Sequence, residues 1–214
     1  VQLFYTYKQM LIFDIGANNG NYARTWASRG HAVVAVEASP ATYSTLVRSM
    51  ASFPSVTTVH GAVCDAPTTT ITLYDRGDTL STLNKWWLTS SESRHGHCGF
   101  HATSTVPVVS LDTLIATHGL PDMLKIDVEG AEDSVLRSLS SKPPVVCFEY
   151  ASEMLSVTVA SLSRLDELGY TNYHIQSGDD YSYLPSAYDL TLHECRRRIQ
   201  SMRPKVDWGM VWAS

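Results

Sequence analysis

Phe13-Asp14-Ile15-Gly16-Ala17-Asn18-Asn19-Gly20, read together with Glu37, decides the fold of this chain. An apolar run, Met10-Leu11-Ile12-Phe13, ends in an acid, turns through glycines and opens a helix. A second apolar run, Ala32-Val33-Val34-Ala35-Val36, ends in Glu37. Strand, glycine turn, helix, strand, acid is the layout of a nucleoside-cofactor site in a parallel α/β sheet.

Working outward, Pro40 opens a helix through about Ala51, with Ser39 as its N-cap. Val56 to Val63 reads as a third strand, closed by Cys64-Asp65-Ala66-Pro67. Thr69 to Tyr74 alternates β-branched and polar residues and predicts an extra strand. Residues 75–104 lack periodicity and read as a long loop or lid containing Trp86 and Trp87. Thr105 to Val109 resumes as a strand, followed by a helix from Leu111 to about His118 capped by Ser110. Met123 to Asp127 is the fourth main strand, with a helix to Leu139 after Val128-Glu129-Gly130-Ala131-Glu132. Pro144 to Glu149 is the fifth strand, Ser156 to Leu168 a helix stopped by Gly169, and Tyr170 to Gln176 and Val206 to Trp212 the closing strands. No repeat or linker divides residues 1–214, so a single domain is expected.

A chain of 214 residues with 44% hydrophobic and 17% charged residues has room for one sizeable α/β core. A net charge of −5 and a sequence pI near 5.9 argue against a generic nucleic-acid binder. Arg196-Arg197-Arg198, with Arg203 and Lys205, is the one dense basic cluster; a solvated helix face is the leading reading, gripping an anionic ligand the other. Cys64, Cys98, Cys147 and Cys195 are scattered, and two sit in strand-like runs as apolar fillers. Reduced thiols, and hence a cytoplasmic protein, are expected. No apolar run approaches the roughly 18 residues of a membrane span, and no signal peptide is visible. The chain starts at Val1 rather than Met, with its first strand almost at once, so a natural N-terminal segment is expected to be missing.

The glycine spacing, Gly16-x-x-x-Gly20 behind Asp14, is not the G-x-G-x-x-G of a dinucleotide site. An acid there repels a pyrophosphate but can hold an ammonium, directly or through water. S-adenosylmethionine (SAM) carries an ammonium, a sulfonium and a ribose diol. Asp14 and Glu37 suit it better than NAD, with Glu37 accepting from both ribose hydroxyls. Asp65, ending the third strand, is expected to accept from the adenine amino group. The competing structural reading is a tight strand–helix turn with an N-capping carboxylate.

Four segments, Phe13 to Gly20, Val36-Glu37-Ala38-Ser39-Pro40, Val109 to Leu114, and Leu124-Lys125-Ile126-Asp127-Val128-Glu129-Gly130-Ala131-Glu132, together resemble the FkbM family of SAM-dependent methyltransferases. The likeness runs from about residue 11 to 150, and its last segment is the most distinctive. It implies an α/β fold: a Rossmann-like, seven-stranded, mostly parallel sheet with helices on both faces and its last strand antiparallel. An extra strand pair around the long loop is expected besides that sheet. It also implies cofactor contacts at Asp14, Gly16, Ala17, Asn18, Asn19, Gly20, Glu37, Ala38, Asp65 and Ala66, with S-adenosylhomocysteine (SAH) as product. Members mostly methylate hydroxyl oxygens of small molecules and sugars.

Ligands in a parallel sheet sit beyond the carboxyl ends of its strands, so Asp14, Glu37, Asp127 and Glu149 can face one cleft. Alternation puts Lys125 and Asp127 on one face; Lys125, deeper, is expected to pair structurally with an acid. Asp127, Glu129 and Glu149 are the candidate catalytic residues. Asp127 would touch the methionine end or the acceptor, Glu129 would meet the substrate or cap the next helix, and Glu149 would be a base. Glu132 reads as a helix-dipole carboxylate. Asp127 with Glu149 also offers hard oxygen ligands for Mg²⁺, as in catechol-type methyltransferases. Glu149-Tyr150 departs from their pattern, and no catalytic metal is expected. His95-x-His97-Cys98-x-x-His101 has zinc-ligand residue types without finger or ribbon spacing and reads as a polar loop.

The leading expectation is therefore a SAM-dependent O-methyltransferase with a small-molecule or sugar acceptor and no membrane partner. A ribose 2′-O RNA methyltransferase, drafting Lys8, Asp127 and Glu149, is the alternative enzyme. A fold retained for partner binding is the non-enzymatic one. Nothing in the sequence fixes an oligomeric state.

Overall fold

The structure, a computed structural model, describes residues 9–76 and 80–214; Lys8 lies outside the described residues. The chain opens with β1 (Leu11–Ile15), α1 (Asn21–Ala27), β2 (Ala32–Glu37), α2 (Pro40–Met50) and β3 (Val56–His60). It continues through β4 (Ala62–Val63), β5 (Thr70–Asp75), α3 (Lys85–Thr89), β6 (Ala102–Val109), α4 (Leu111–His118) and β7 (Met123–Ile126). It closes with α5 (Glu132–Arg137), β8 (Val145–Ala151), α6 (Leu155–Glu167), β9 (Tyr173–Ser177), α7 (Leu192–Gln200) and β10 (Trp208–Ala213). Seven strands form one sheet in the order β3-β2-β1-β7-β8-β10-β9, mostly parallel, with the last strand, β10, antiparallel between β8 and β9.

Central strands buried on both faces read as unbroken apolar runs, which is why β1, β2 and β7 were legible. On one face, Phe13, Ile15, Val36, Leu124 and Ile126 pack under α4, α5 and α6 with Leu114, Val135 and Leu162. On the other, Ile12, Val33, Ala35, Met123 and Cys147 pack under α1 and α2 with Tyr22, Trp26, Leu46 and Met50. Each fully buried large side chain contributes about 1.5–3 kcal/mol over its exposed state, so these two layers fix the sheet. Alternation then puts Asp14 and Lys125 on the α1 face, inside the second layer. The Ser39 and Ser110 caps form, each side chain accepting from the backbone N–H three residues on. Among the described residues no helix is long and apolar enough to cross a membrane.

Four expectations are corrected. The run from Val56 to Val63 is two strands: Gly61 still donates to Glu37 O, then Ala62–Val63 leaves to pair with β6. A side chain at Gly61 would crowd Pro107 O at 3.2 Å, so glycine permits this crossing. Residues 75–104, read as loop, contain α3 and the start of β6, which begins at Ala102 opposite Asp75. Strand β9 starts at Tyr173, because the Tyr170 ring turns inward and its hydroxyl bonds Pro143 O. Strand β10 starts at Trp208, because Arg203 and Asp207 close a turn that holds Val206 outside. The predicted extra strand pair is present as β5 and β6, antiparallel, with β4 parallel to β6 as a third member.

Candidate active site

The turn after β1 is tied to β2: Gly16 and Ala17 both donate to Val36 O, at 3.0 and 2.9 Å. Gly16 sits at φ +79°, and a Cβ there would overlap the Asp127 carbonyl oxygen, so only glycine lets this turn cross the end of β7. Two residues on, Asn18 N donates to Glu37 Oε2 at 2.9 Å, while Ser39 N donates to Oε1 at 2.8 Å. Burial raises the Glu37 pKa; the backbone N–H groups of Ser39, Asn18 and Ala38 oppose that rise. Each oxygen keeps a second lone pair, so Glu37 is braced and still able to accept from a hydroxyl pair.

These residues border a cleft of about 240 Å³ at the carboxyl ends of β1, β2 and β7. Gly16, Ala17, Asn18, Asn19, Glu37 and Ala38 line it, as do Asp127 and Glu129. Gly20 does not; it precedes α1 and faces Leu46 and Met50.

Asp14 is placed behind the cleft, completely buried. The register opposes Asp14 to Lys125, and the ammonium that Asp14 meets is that of Lys125, 3.1 Å from Oδ1. The Lys125 Nζ also lies 3.3 Å from Asp127 Oδ2 and donates to Gly16 O at 3.2 Å. Burial alone would discharge this lysine, but Asp127 and Asp14 outweigh burial and hold its pKa above the ordinary value. Burial pushes the Asp14 carboxyl up against the pull of Lys125. The result is a charged post joining the glycine turn, β1 and the end of β7.

Beyond β7 the chain turns through Glu129 in the left-handed region, φ +59°. Thr82 Oγ1 donates to Glu129 O, Asn84 Nδ2 to Gly130 O, and Trp87 Nε1 to Glu129 Oε2 at 2.9 Å. The segment expected to be a lid thus contributes Thr82, Asn84 and the buried Trp87, and fixes the Glu129 backbone and side chain. Trp86 remains partly exposed on α3. Glu132 is buried and accepts from Val128 N and Gly130 N, closing the turn from within. One oxygen each of Asp127, Glu129 and Glu149 lies within 4.8 Å of the other two. Burial, then the charge of Asp127, pushes Glu129 up to about 8. The same two causes put Glu149 well above the carboxylate range, with Glu129 adding to them. Glu149 abuts this group from β8 without lining the cleft.

Asp65 and Ala66 border a different depression, beside Arg137. The break at Gly61 carries Asp65 away from the end of β3, and its carboxylate takes Arg137 Nε at 2.7 Å and Ser134 Oγ. The cleft wall expected from Asp65 comes instead from Gly61, Ala62 and Val63. His95 packs edge-on against Trp87, and Cys98 Sγ lies 3.6 Å from His97 Nε2. Among the described residues, metal-ligand types converge at Asp127, Glu129 and Glu149, not in that His/Cys segment. The basic cluster divides: Arg197 and Arg198 are exposed on the last turn of α7, while Arg203 pairs with Asp207. Asp179 and Tyr181 also line the cleft and were not read from sequence. The one signal was Gly178-Asp179-Asp180, turn chemistry just past a strand.

Among solved structures, precorrin-6y C5,15-methyltransferase from Geobacter metallireducens GS-15 aligns with 96% of this chain and 80% of its own, at 12% identity and TM-score 0.49. Precorrin 8W decarboxylase from Methanobacterium thermoautotrophicum aligns over 97% and 82%, at 13% and 0.49. Aeropyrum pernix fibrillarin, solved with natively bound SAM, aligns over 96% and 66%, at 12% and 0.48. Likenesses of that strength carry no argument about the site. No curated protein matches the chain. The family comparison is of another order: residues 14–171, from the buried acid of β1 to beyond α6, match the methyltransferase FkbM domain. The resemblance seen in four short segments therefore extends over most of the molecule, and the chain belongs to the FkbM methyltransferase family.

Proposed function

We propose that the protein is a SAM-dependent O-methyltransferase acting on a hydroxyl of a small molecule or sugar. One observation carries the reading: a single cleft has a braced acid, Glu37, at one end and the acids Asp127 and Glu129 at the other. The residues fit the methyl donor. Glu37 keeps free lone pairs for a ribose diol, Gly61 to Val63 wall the adjoining space, and Asp127 and Asp179 offer charge for an ammonium. When bound, SAM supplies an electrophilic methyl whose S–C bond breaks, leaving neutral SAH, as the new O–C bond forms.

The chain's own residues must align the acceptor oxygen and take its proton. Glu129, held by Trp87 in the cleft lining, is placed to orient that hydroxyl. Lys125 anchors Asp127 at the cleft through Oδ2. Acids in the cleft lining, Asp127 and Asp179, disfavour RNA, because they would repel a phosphate backbone there. The four free cysteines support a reducing, cytoplasmic setting.

Calorimetry with SAH tests the donor, and a labelled-methyl screen over sugars, small phenols and capped or uncapped RNA tests the acceptor. SAH binding with transfer to a sugar or phenol is the expected result. Transfer to RNA alone overturns the acceptor class, and wild-type protein that ignores both SAM and SAH overturns the reading altogether.

A further inference from the structure

Asp127 directly follows β7 and Glu149 sits within the adjacent parallel strand β8, on the same face, two residues beyond the paired Lys125 and Cys147. Glu129 is turned back toward them by its left-handed backbone, with Oε2 occupied by Trp87. Glu149 differs from both: its Oε2 is inaccessible to solvent and accepts no hydrogen bond. Two nearby cations of the described residues are committed elsewhere. Lys125 is shared among Asp14, Asp127 and Gly16 O, and Arg94 grips Glu153 through two bonds of 2.6 and 2.7 Å.

A carboxylate oxygen sealed from solvent without a partner is costly, and three carboxylates sharing one site repel each other, so the group calls for a neutralising proton or cation. We infer that Asp127, Glu129 and Glu149 form a binding site for one divalent, oxygen-preferring cation. Hard cations hold carboxylate oxygens at about 2.0–2.6 Å, which spaces opposed ligands by up to about 5 Å. The 4.8 Å limit of this group falls inside that span. With oxygen ligands alone and no His or Cys, the site suits Mg²⁺, Mn²⁺ or Ca²⁺ rather than Zn²⁺. This departs from the expectation that no metal is used, which rested on the residue types at the end of β8 and not on their convergence. Because Asp127 and Glu129 line the cleft, the cation's open positions face the place where an acceptor hydroxyl is oriented. That role rests on the methyl-transfer reading; cation binding does not.

The test is Mn²⁺ titration of chelator-stripped protein by electron paramagnetic resonance, with Mg²⁺ and Ca²⁺ as competitors and SAH calorimetry on the same samples. One Mn²⁺ per chain is expected, weakened more than about tenfold in Glu149→Gln, since even outer-shell partners count on that scale. SAH affinity and circular dichroism should stay unchanged, and Glu92→Gln, on an exposed turn, should bind Mn²⁺ like wild type. Glu129→Gln is the second variant if Glu149→Gln does not fold. Wild-type protein that binds SAH but takes up no Mn²⁺ overturns the cation site and leaves the methyltransferase reading intact. Mn²⁺ bound with full affinity by a folded Glu149→Gln overturns it as well. Specific Mn²⁺ uptake without SAH binding supports the cation site and sinks the donor reading.

Discussion

Glu37 closes β2 and Glu149 sits near the end of β8, where the strand expected to stop at Glu149 runs on to Ala151, and the surroundings of the two acids are opposite. Glu37 receives two backbone N–H groups, from Asn18 and Ser39, so its charge is stabilised by neutral donors fixed by the fold. Glu149 has an orphaned oxygen beside two other acids. Braced by backbone, an acid becomes a permanent acceptor for ligand hydroxyls. Left unbraced among like charges, it responds to protons and cations. One end of the cleft is therefore preorganised and the other is responsive, with Lys125 as the post between them.

Removing that post should have the largest effect. Lys125→Met leaves Asp14 buried without its cation, and breaking a buried pair costs about 3–5 kcal/mol. Urea denaturation measures it, and Asp14→Asn in the same chain should recover part of the loss. A loss below about 1 kcal/mol would show that the two ends do not depend on Lys125.

The responsive end should next reveal itself through pH. The folded-state pKa values of Glu129, about 8, and Glu132, about 7, both lie above the usual carboxylate value of 4.5. The folded state therefore binds more protons than the unfolded one between those limits. Stability of cation-free protein is then full below about pH 4.5 and falls as pH rises toward 8. His31 and His95, with pKa values lowered by burial, act in the opposite sense below about 6.5. Denaturation in chelator across pH 4.5 to 8 checks the slope; a flat or rising profile contradicts the acid cluster.

At the preorganised end, Glu37→Ala should weaken SAH by about 10- to 100-fold, the worth of roughly 1.5–3 kcal/mol for bonds to a charged group. The smallest effect belongs to Asp65. Its pair with Arg137 is largely exposed, so Asp65→Asn should change stability by under about 1 kcal/mol and leave SAH affinity as it was. A large loss of SAH affinity there would return Asp65 to the cofactor site.

What the sequence revealed follows from the range of the forces involved. The glycine turn, Glu37 and the Lys125-to-Glu132 segment are local patterns, and β1, β2 and β7 are apolar runs set by double-sided burial. Asp14 was misjudged because its partner depends on parallel register, which places Lys125 opposite it and turns the acid inward. Asp65 was misjudged because a single crossing at Gly61 moves the chain to another sheet. Asp179, and the bond from Trp87 to Glu129, join segments distant in sequence, which no local pattern encodes.

The most direct measurement is SAH calorimetry on wild type, Glu37→Ala and Glu149→Gln side by side. Wild type should bind, Glu37→Ala should lose about tenfold or more, and Glu149→Gln should bind as wild type does. Absence of binding in wild type, or equal binding in all three, would contradict a cleft with one end built for the donor and the other for chemistry.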